Sequence, residues 1–197
     1  MESTKKILIV LGHPHNESLC SSLADAYLQS AIENGHNAQL LKLSDLKFDP
    51  NLRFGYKEKD KLIIEEDILK SQKLISHADH LVFIFPNWWS SMLAILKGWI
   101  DRVFLPGFAF QYQKKSPIPA KLLKGKTTRI IITIDAPVWY YKWFTGSPGL
   151  TFLKKGTLEF CGITPVQYTL LGEIRTASKE KLMDYIKKIN KLGSKGI

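Results

Sequence analysis

Three short stretches of this 197-residue chain carry the residue types that do chemistry. GHPHNESLCSSLA, residues 12–24, sets His13 and Ser18 just ahead of a helical pattern. A helix start offers free backbone N–H groups and the positive end of a dipole, so this loop suits a phosphate, with Ser18 and His13 as further donors. The bland alternative is a capped helix start with no ligand. Glu17 would oppose an anion if it faced inward, so it is expected to point outward. FPNWWSS places Pro86, Asn87, Trp88 and Trp89 between an apolar run and a helix. Such a tryptophan pair either wedges the helix or walls a planar ligand. TIDAPVWYYKWF brings Thr133, Ile134, Asp135, Ala136 and Pro137, followed by five aromatics. Taken alone, that aromatic cluster would suit a partner or membrane surface.

Other chemistries lack their residues. There is no G-x-G-x-x-G, no Walker lysine and no G-x-S-x-G. Cys20 and Cys161 are too few for a disulfide framework and too far apart for a metal knuckle. Five scattered histidines without H-E-x-x-H leave no metal site, and free buried thiols are expected. Asp79 and Asp101 have no partner carboxylate at a defined spacing, and Asp101-Arg102 reads as a helix pin.

The net charge of +10 comes from dispersed lysines, concentrated modestly at 181–195 on what reads as a solvated helix face. Without interleaved aromatics that face is a poor nucleic-acid binder, so no nucleic-acid partner is expected. A positive field suits an anionic cofactor instead. Lys5-Lys6 before a short apolar run superficially resembles a signal peptide, but the run reads as a first strand. No run is long enough for membrane insertion, and a cytoplasmic location is expected.

The elements that must position these loops alternate. Residues 6–11 (KILIVL), 37–43, 80–85 (HLVFIF), 128–134 and 164–171 read as strands. Leu19, Leu23, Tyr27 and Ala31 recur every four residues as one helical face. Helical spacing returns over 61–77, 91–104, 151–161 and 176–192, while 44–60, 105–126 and 135–150 read as loops. Five strands alternating with five helices predict a flavodoxin-like doubly wound parallel sheet of order 2-1-3-4-5, a three-layer α/β/α sandwich, with 1–197 as a single domain. Such sheets bind ligands outside the carboxyl ends of their strands. Residues just after strands 1, 3 and 4 are therefore site candidates, and the end of strand 5 less so. The three opening loops meet at that crevice, combining a phosphate site with aromatic walls, the shape of a flavin nucleotide pocket.

FPNWWSSMLAILKGWIDRVF closely resembles the signature F-P-x-x-W-x-x-x-P-A-I-L-K-G-W-x-[DE]-R-V-F of the NAD(P)H:quinone oxidoreductases, the DT-diaphorase family. GHPHNESLCSSLADA resembles that family's phosphate loop, and GTLEFCGI its helix before the last strand. The resemblance covers nearly the whole chain. It implies two-electron, ping-pong hydride transfer from NAD(P)H through a bound flavin to a quinone or similar electrophile. It also implies a homodimer. FMN is favoured over FAD because nothing identifies an adenosine pocket. Some relatives are instead ancillary regulatory subunits of glutathione-gated potassium efflux systems, which is the alternative reading.

Carried over by motif, His13, Ser18, Leu19 and Cys20 line the phosphate end. Pro86, Asn87, Trp88 and Trp89 run along the isoalloxazine edge, with Thr133, Ile134, Asp135 and Ala136 on the other side. Tyr141 is implied near N1 and O2, so Tyr141 and the Trp88–Trp89 backbone are the residues expected to tune the flavin. Phe110 and Tyr112, in GFAFQYQ, are implied to cover the ring from a second subunit as part of the substrate site. The chain departs from the family at several points. Asp135-Ala136 replaces a Gly-Gly pair, Ser147 stands near a family histidine, Leu93 replaces a proline, and Phe110 replaces a tyrosine. The long C-terminal extension of larger members is also missing.

Overall fold

β1 (Lys6–Leu11) is buried at every position after Lys6, as a strand covered on both faces should be. The same holds for β3 (His80–Pro86) and β6 (Thr127–Thr133), whose interiors are wholly buried. β2 (Asn37–Lys42) and β7 (Val166–Leu171) mix exposed with buried positions, as edge strands do. These features come from a computed structural model that describes residues 4–53, 55 and 64–197. The five strands form one parallel sheet in the order β2-β1-β3-β6-β7, the order expected from the alternating pattern.

Helices cover both faces. α1 (Leu19–Glu33) and α6 (Lys179–Ser194) lie on one side, over Ile7, Ile9, Leu11, Val82, Ile84 and Ile131. Gly193 lets them meet closely, since a Cβ there would stand 2.4 Å from the Tyr27 carbonyl oxygen. On the other side α2 (Glu66–His77) and α3 (Ala94–Val103) cover Leu8, Val10, Phe83, Phe85, Ile130 and Ile132. The buried Trp99 of α3 ties these two helices together, its Nε1–H donating to Ser71 Oγ at 3.1 Å.

Several boundaries differ from the sequence reading. The expected loop 105–126 contains an antiparallel ribbon, β4 (Phe110–Gln113) and β5 (Ser116–Lys121), outside the main sheet. The expected loop 135–150 contains α4 (Val138–Trp143). The helix expected over 151–161 starts earlier, as α5 (Pro148–Thr151), and widens to π geometry over Phe152–Glu159. The described residues thus hold seven strands and six α-helices rather than five of each. Helix α3 begins at Ala94 rather than 91, because residues 88–91 are spent on a turn. Positions 61–63 of the expected 61–77 helix, Leu62 among them, lie outside the described residues; Ile64 and Glu65 precede α2. Arg102 pins α3 through Glu65 (2.5 Å) rather than through its neighbour Asp101, which pairs with Lys97 at 2.6 Å.

Candidate functional site

The loops after β1, β3 and β6 converge at the carboxyl end of the sheet. Their strand ends are tied together. Gly12 N–H donates to Ile84 O (2.9 Å), and Asn87 N–H donates to Thr133 O (2.8 Å). Between them opens a crevice of about 180 Å³. His13, Ser18, Leu19 and Cys20 form one wall, and Pro86, Asn87 and Trp88 a second. Thr133, Asp135 and Ile174 form the third. Sequence reasoning missed Ile174. It sits on a short 3₁₀ turn after β7, where its N–H bonds Ile134 O at 3.1 Å. Applying the strand-end rule to the last strand as to the others would have found it.

The first wall is a helix start, built as its residue types dictate. Ser18 is in extended geometry and caps α1, its Oγ accepting the Ser21 N–H at 3.2 Å. The N–H groups of Leu19 and Cys20 have no acceptor among the described residues and sit at the crevice. The loop before them is held by imidazoles. His15 N–H donates to His13 Nδ1 (3.0 Å), and Glu17 N–H donates to His15 Nδ1 (2.9 Å). His13 Nδ1 also lies 2.9 Å from His15 O, so this ring nitrogen is engaged by the loop backbone. Glu17 is exposed. Cys20 Sγ lies 3.4 Å from Thr133 Oγ1, linking the first wall to the third. Burial pushes this thiol up to about 11, opposed by that hydrogen bond. It is therefore not a thiolate nucleophile.

The second wall is a tight reversal. Trp88 and Ser91 exchange both backbone hydrogen bonds, at 3.0 and 2.9 Å. Trp89 and Ser90 between them both have positive φ, +51° and +58°. This is a type I′ geometry normally given to Asn-Gly or Gly-Gly. Trp88 is half-exposed and packs edge-on against His13, ring centroids 6.1 Å apart. Trp89 is fully exposed, at 100%. Asn87 Oδ1 is buried and accepts no hydrogen bond. A buried carbonyl oxygen left so is costly unless a ligand or water donates to it.

Six of the residues expected at the site do not line the crevice, Trp89 and Tyr112 because they are exposed. Ile134 is buried in the core, and its backbone is occupied by Leu171 and Ile174. Ala136 packs on the same core and accepts from Glu173 N–H at 3.2 Å. Tyr141 is 1% exposed, and its hydroxyl oxygen accepts the Leu150 N–H at 3.3 Å rather than facing the crevice. Burial raises its pKa, which the Leu150 bond opposes. Phe110 is buried against Phe160 and Tyr112, at centroid distances of 5.2 and 5.4 Å, in a separate pocket beside Lys97 and Asp101. Of the ribbon pair only Tyr112 is exposed. The described residues contain no group of three or more potential metal ligands. No described helix is long and apolar enough to cross a membrane.

Residues 5–192 match the family model described as a flavodoxin-like fold. A Haemophilus influenzae protein named an uncharacterized NAD(P)H oxidoreductase is 34% identical over 170 residues, covering 85% of this chain and 83% of its own length. This chain belongs to the flavodoxin-like oxidoreductases. The human ribosyldihydronicotinamide dehydrogenase [quinone] is 30% identical over 211 residues, with 91% and 87% coverage, so the homology extends to the quinone oxidoreductases. Among solved structures, Smu.1420 from Streptococcus mutans UA159 superposes with a TM-score of 0.81 at 35% identity, covering 97% and 99% of the two chains. In this flavodoxin-like oxidoreductase the crevice thus stands at the strand ends where such folds bind their ligands.

Proposed function

We propose that the protein is an NAD(P)H:quinone oxidoreductase that binds FMN in this crevice, with FAD as the alternative, and reduces a quinone or similar electrophile by two-electron, ping-pong hydride transfer. The buried, unpartnered Oδ1 of Asn87 carries the proposal. A flavin's pyrimidine edge has an N–H to donate, and its phosphate matches the free N–H groups of Leu19 and Cys20 with Ser18 and His13. The residues present therefore fit the group. When bound, a flavin supplies the redox chemistry, relaying two electrons between nicotinamide and acceptor.

The chain's own part is positional and electrostatic. Leu19, Cys20 and His13 would hold an anionic tail through N–H donors, with no lysine or arginine among the described residues of that wall. Asn87 and Trp88 would bound a planar ring from the second wall, while the Trp88 N–H and carbonyl are spent on Ser91. Asp135 places a carboxylate at the third wall, disfavouring anionic acceptors there. The crevice encloses too little to cover an isoalloxazine with its tail, so the ring needs a further wall. Exposed Trp88, Trp89, Trp139, Tyr140, Trp143 and Phe144 supply apolar surface for a second copy of the chain, from which Tyr112 reaches the ring. The whole of 1–197 then acts as one flavin-binding unit in a homodimer.

The test is to purify the protein, identify any released nucleotide, and assay NADH and NADPH oxidation with a panel of quinones. A preparation that is colourless and binds neither FMN nor FAD on titration would falsify the proposal.

A further inference from the structure

An apolar hollow lies far from the crevice, at the amino ends of β1 and β2, beneath α2. It encloses about 280 Å³. Its apolar floor is Leu8, Leu74 and Ala78. Its rim is Lys6, Lys70, Lys73 and His77, and no carboxylate of the described residues lines it. The crevice residues follow the far end of β1, so the two sites are separated by the strand's length, ~20 Å.

Basic residues near a helix C-terminus ordinarily answer the helix dipole. Here that task is already done by another residue. Lys126 Nζ donates to the carbonyls of Ser76 and Ala78, both at 2.7 Å, and His77 Nδ1 lies 2.7 Å from Lys73 O. The ammonium groups of Lys6, Lys70 and Lys73 form no ion pair and no hydrogen bond among the described residues. Asp79, the nearest acid in sequence to the rim, is turned to the Lys6 backbone N–H at 2.8 Å. Lys6, Lys70 and Lys73 thus ring the apolar floor, and no described carboxylate pairs with their ammonium groups. Lys70 and Lys73 lie on the same helix face as Leu74 and His77, so one ligand can touch floor and rim together.

We propose that this hollow is a binding site for a small amphipathic carboxylate, an apolar chain or ring ending in one anionic group. The apolar body lies on Leu8 and Leu74, and the carboxylate faces Lys70 and Lys73. Asn37 and Gln39, exposed on β2, lend amide donors at the open side. The charge ring selects the anion, while the enclosed volume suits a ligand below drug size.

The probes are octanoate and octan-1-ol, titrated into the isotopically labelled full-length protein and followed by backbone amide NMR. Octanoate is expected to saturate, shifting Leu8, Gln39 and Leu74 and leaving Asn87 and Thr133 still. Lys70→Glu combined with Lys73→Glu should weaken octanoate by about tenfold with no change for octan-1-ol and no loss of thermal stability. Failure to saturate, shifts confined to the crevice, or equal weakening of acid and alcohol would each overturn the proposal. So would binding of an acidic peptide in the absence of octanoate binding.

Discussion

The backbone N–H of Gly149 donates to the carbonyl of Ser90 at 3.0 Å, joining the start of α5 to the tip of the tryptophan turn. The same glycine leaves no room above that turn. A Cβ at 149 would stand 2.9 Å from Ser91 Cα and 3.2 Å from Ser90 O. Two residues at positive φ, neither of them glycine, are strained, and this strut helps to hold them. Tyr141 supports the strut from below, its carbonyl accepting the Ser147 N–H at 3.0 Å and its hydroxyl the Leu150 N–H at 3.3 Å.

Gly149→Ala should push the turn away from its seat. Overpacking of this kind destabilises by about 1–3 kcal/mol, and the displaced Trp88 backbone should raise the flavin dissociation constant about tenfold. Flavin fluorescence titration and thermal melting of the apoprotein measure the two effects.

Trp89→Gly should act in opposite directions on folding and binding. The indole is fully exposed, so little packing is lost, and a left-handed residue becomes glycine. Apoprotein stability is expected to rise by ~0.5–1 kcal/mol in urea unfolding while flavin retention falls. Loss of stability instead would mean that the indole packs against something in solution.

Tyr141→Phe leaves the buried Leu150 N–H without an acceptor, at an expected ~1–3 kcal/mol of apoprotein stability. If the phenol instead served the flavin directly, the bound flavin's reduction potential would move while apoprotein stability stayed constant. The geometry favours the first outcome.

His80 sets an acid limit. Burial lowers its pKa to about 3, helped by the nearby charges of Lys5, Arg129 and His36. Its Nδ1 lies 2.7 Å from Thr127 Oγ1, while Nε2 has no partner. The unfolded chain protonates this histidine near its ordinary value of 6.5, and the folded one does not until about 3. The unfolded state therefore binds more protons between those values, and stability falls as pH drops through that window. His80→Asn should flatten the pH dependence of the melting temperature below 6.5, and an unchanged slope would place its origin elsewhere.

How far the sequence discloses this molecule varies from element to element. β1, β3 and β6 are legible because central parallel strands are continuous apolar runs, and their loops then fall together by topology. The crevice follows from that topology for Ser18, Asn87, Trp88 and Asp135. The β4–β5 ribbon is hidden because Pro117 and Pro119 argue against a strand, yet a ribbon outside the main sheet tolerates them. α4 is hidden because VWYYKW is poor in strong helix formers and lies in a Gly- and Pro-rich stretch. Tyr141 shows the limit most clearly. Motif and spacing put it beside the crevice, but the direction of its hydroxyl depends on Leu150, and no local pattern encodes that contact.

The Cys20–Thr133 contact also bears on durability. An enzyme handling electrophilic acceptors risks being alkylated by them, and a thiol in the crevice wall is the natural target. With its pKa near 11, only roughly one Cys20 in ten thousand is ionised at neutral pH. The same burial that makes Cys20 useless as a nucleophile would shield the protein from the electrophilic acceptors proposed for it.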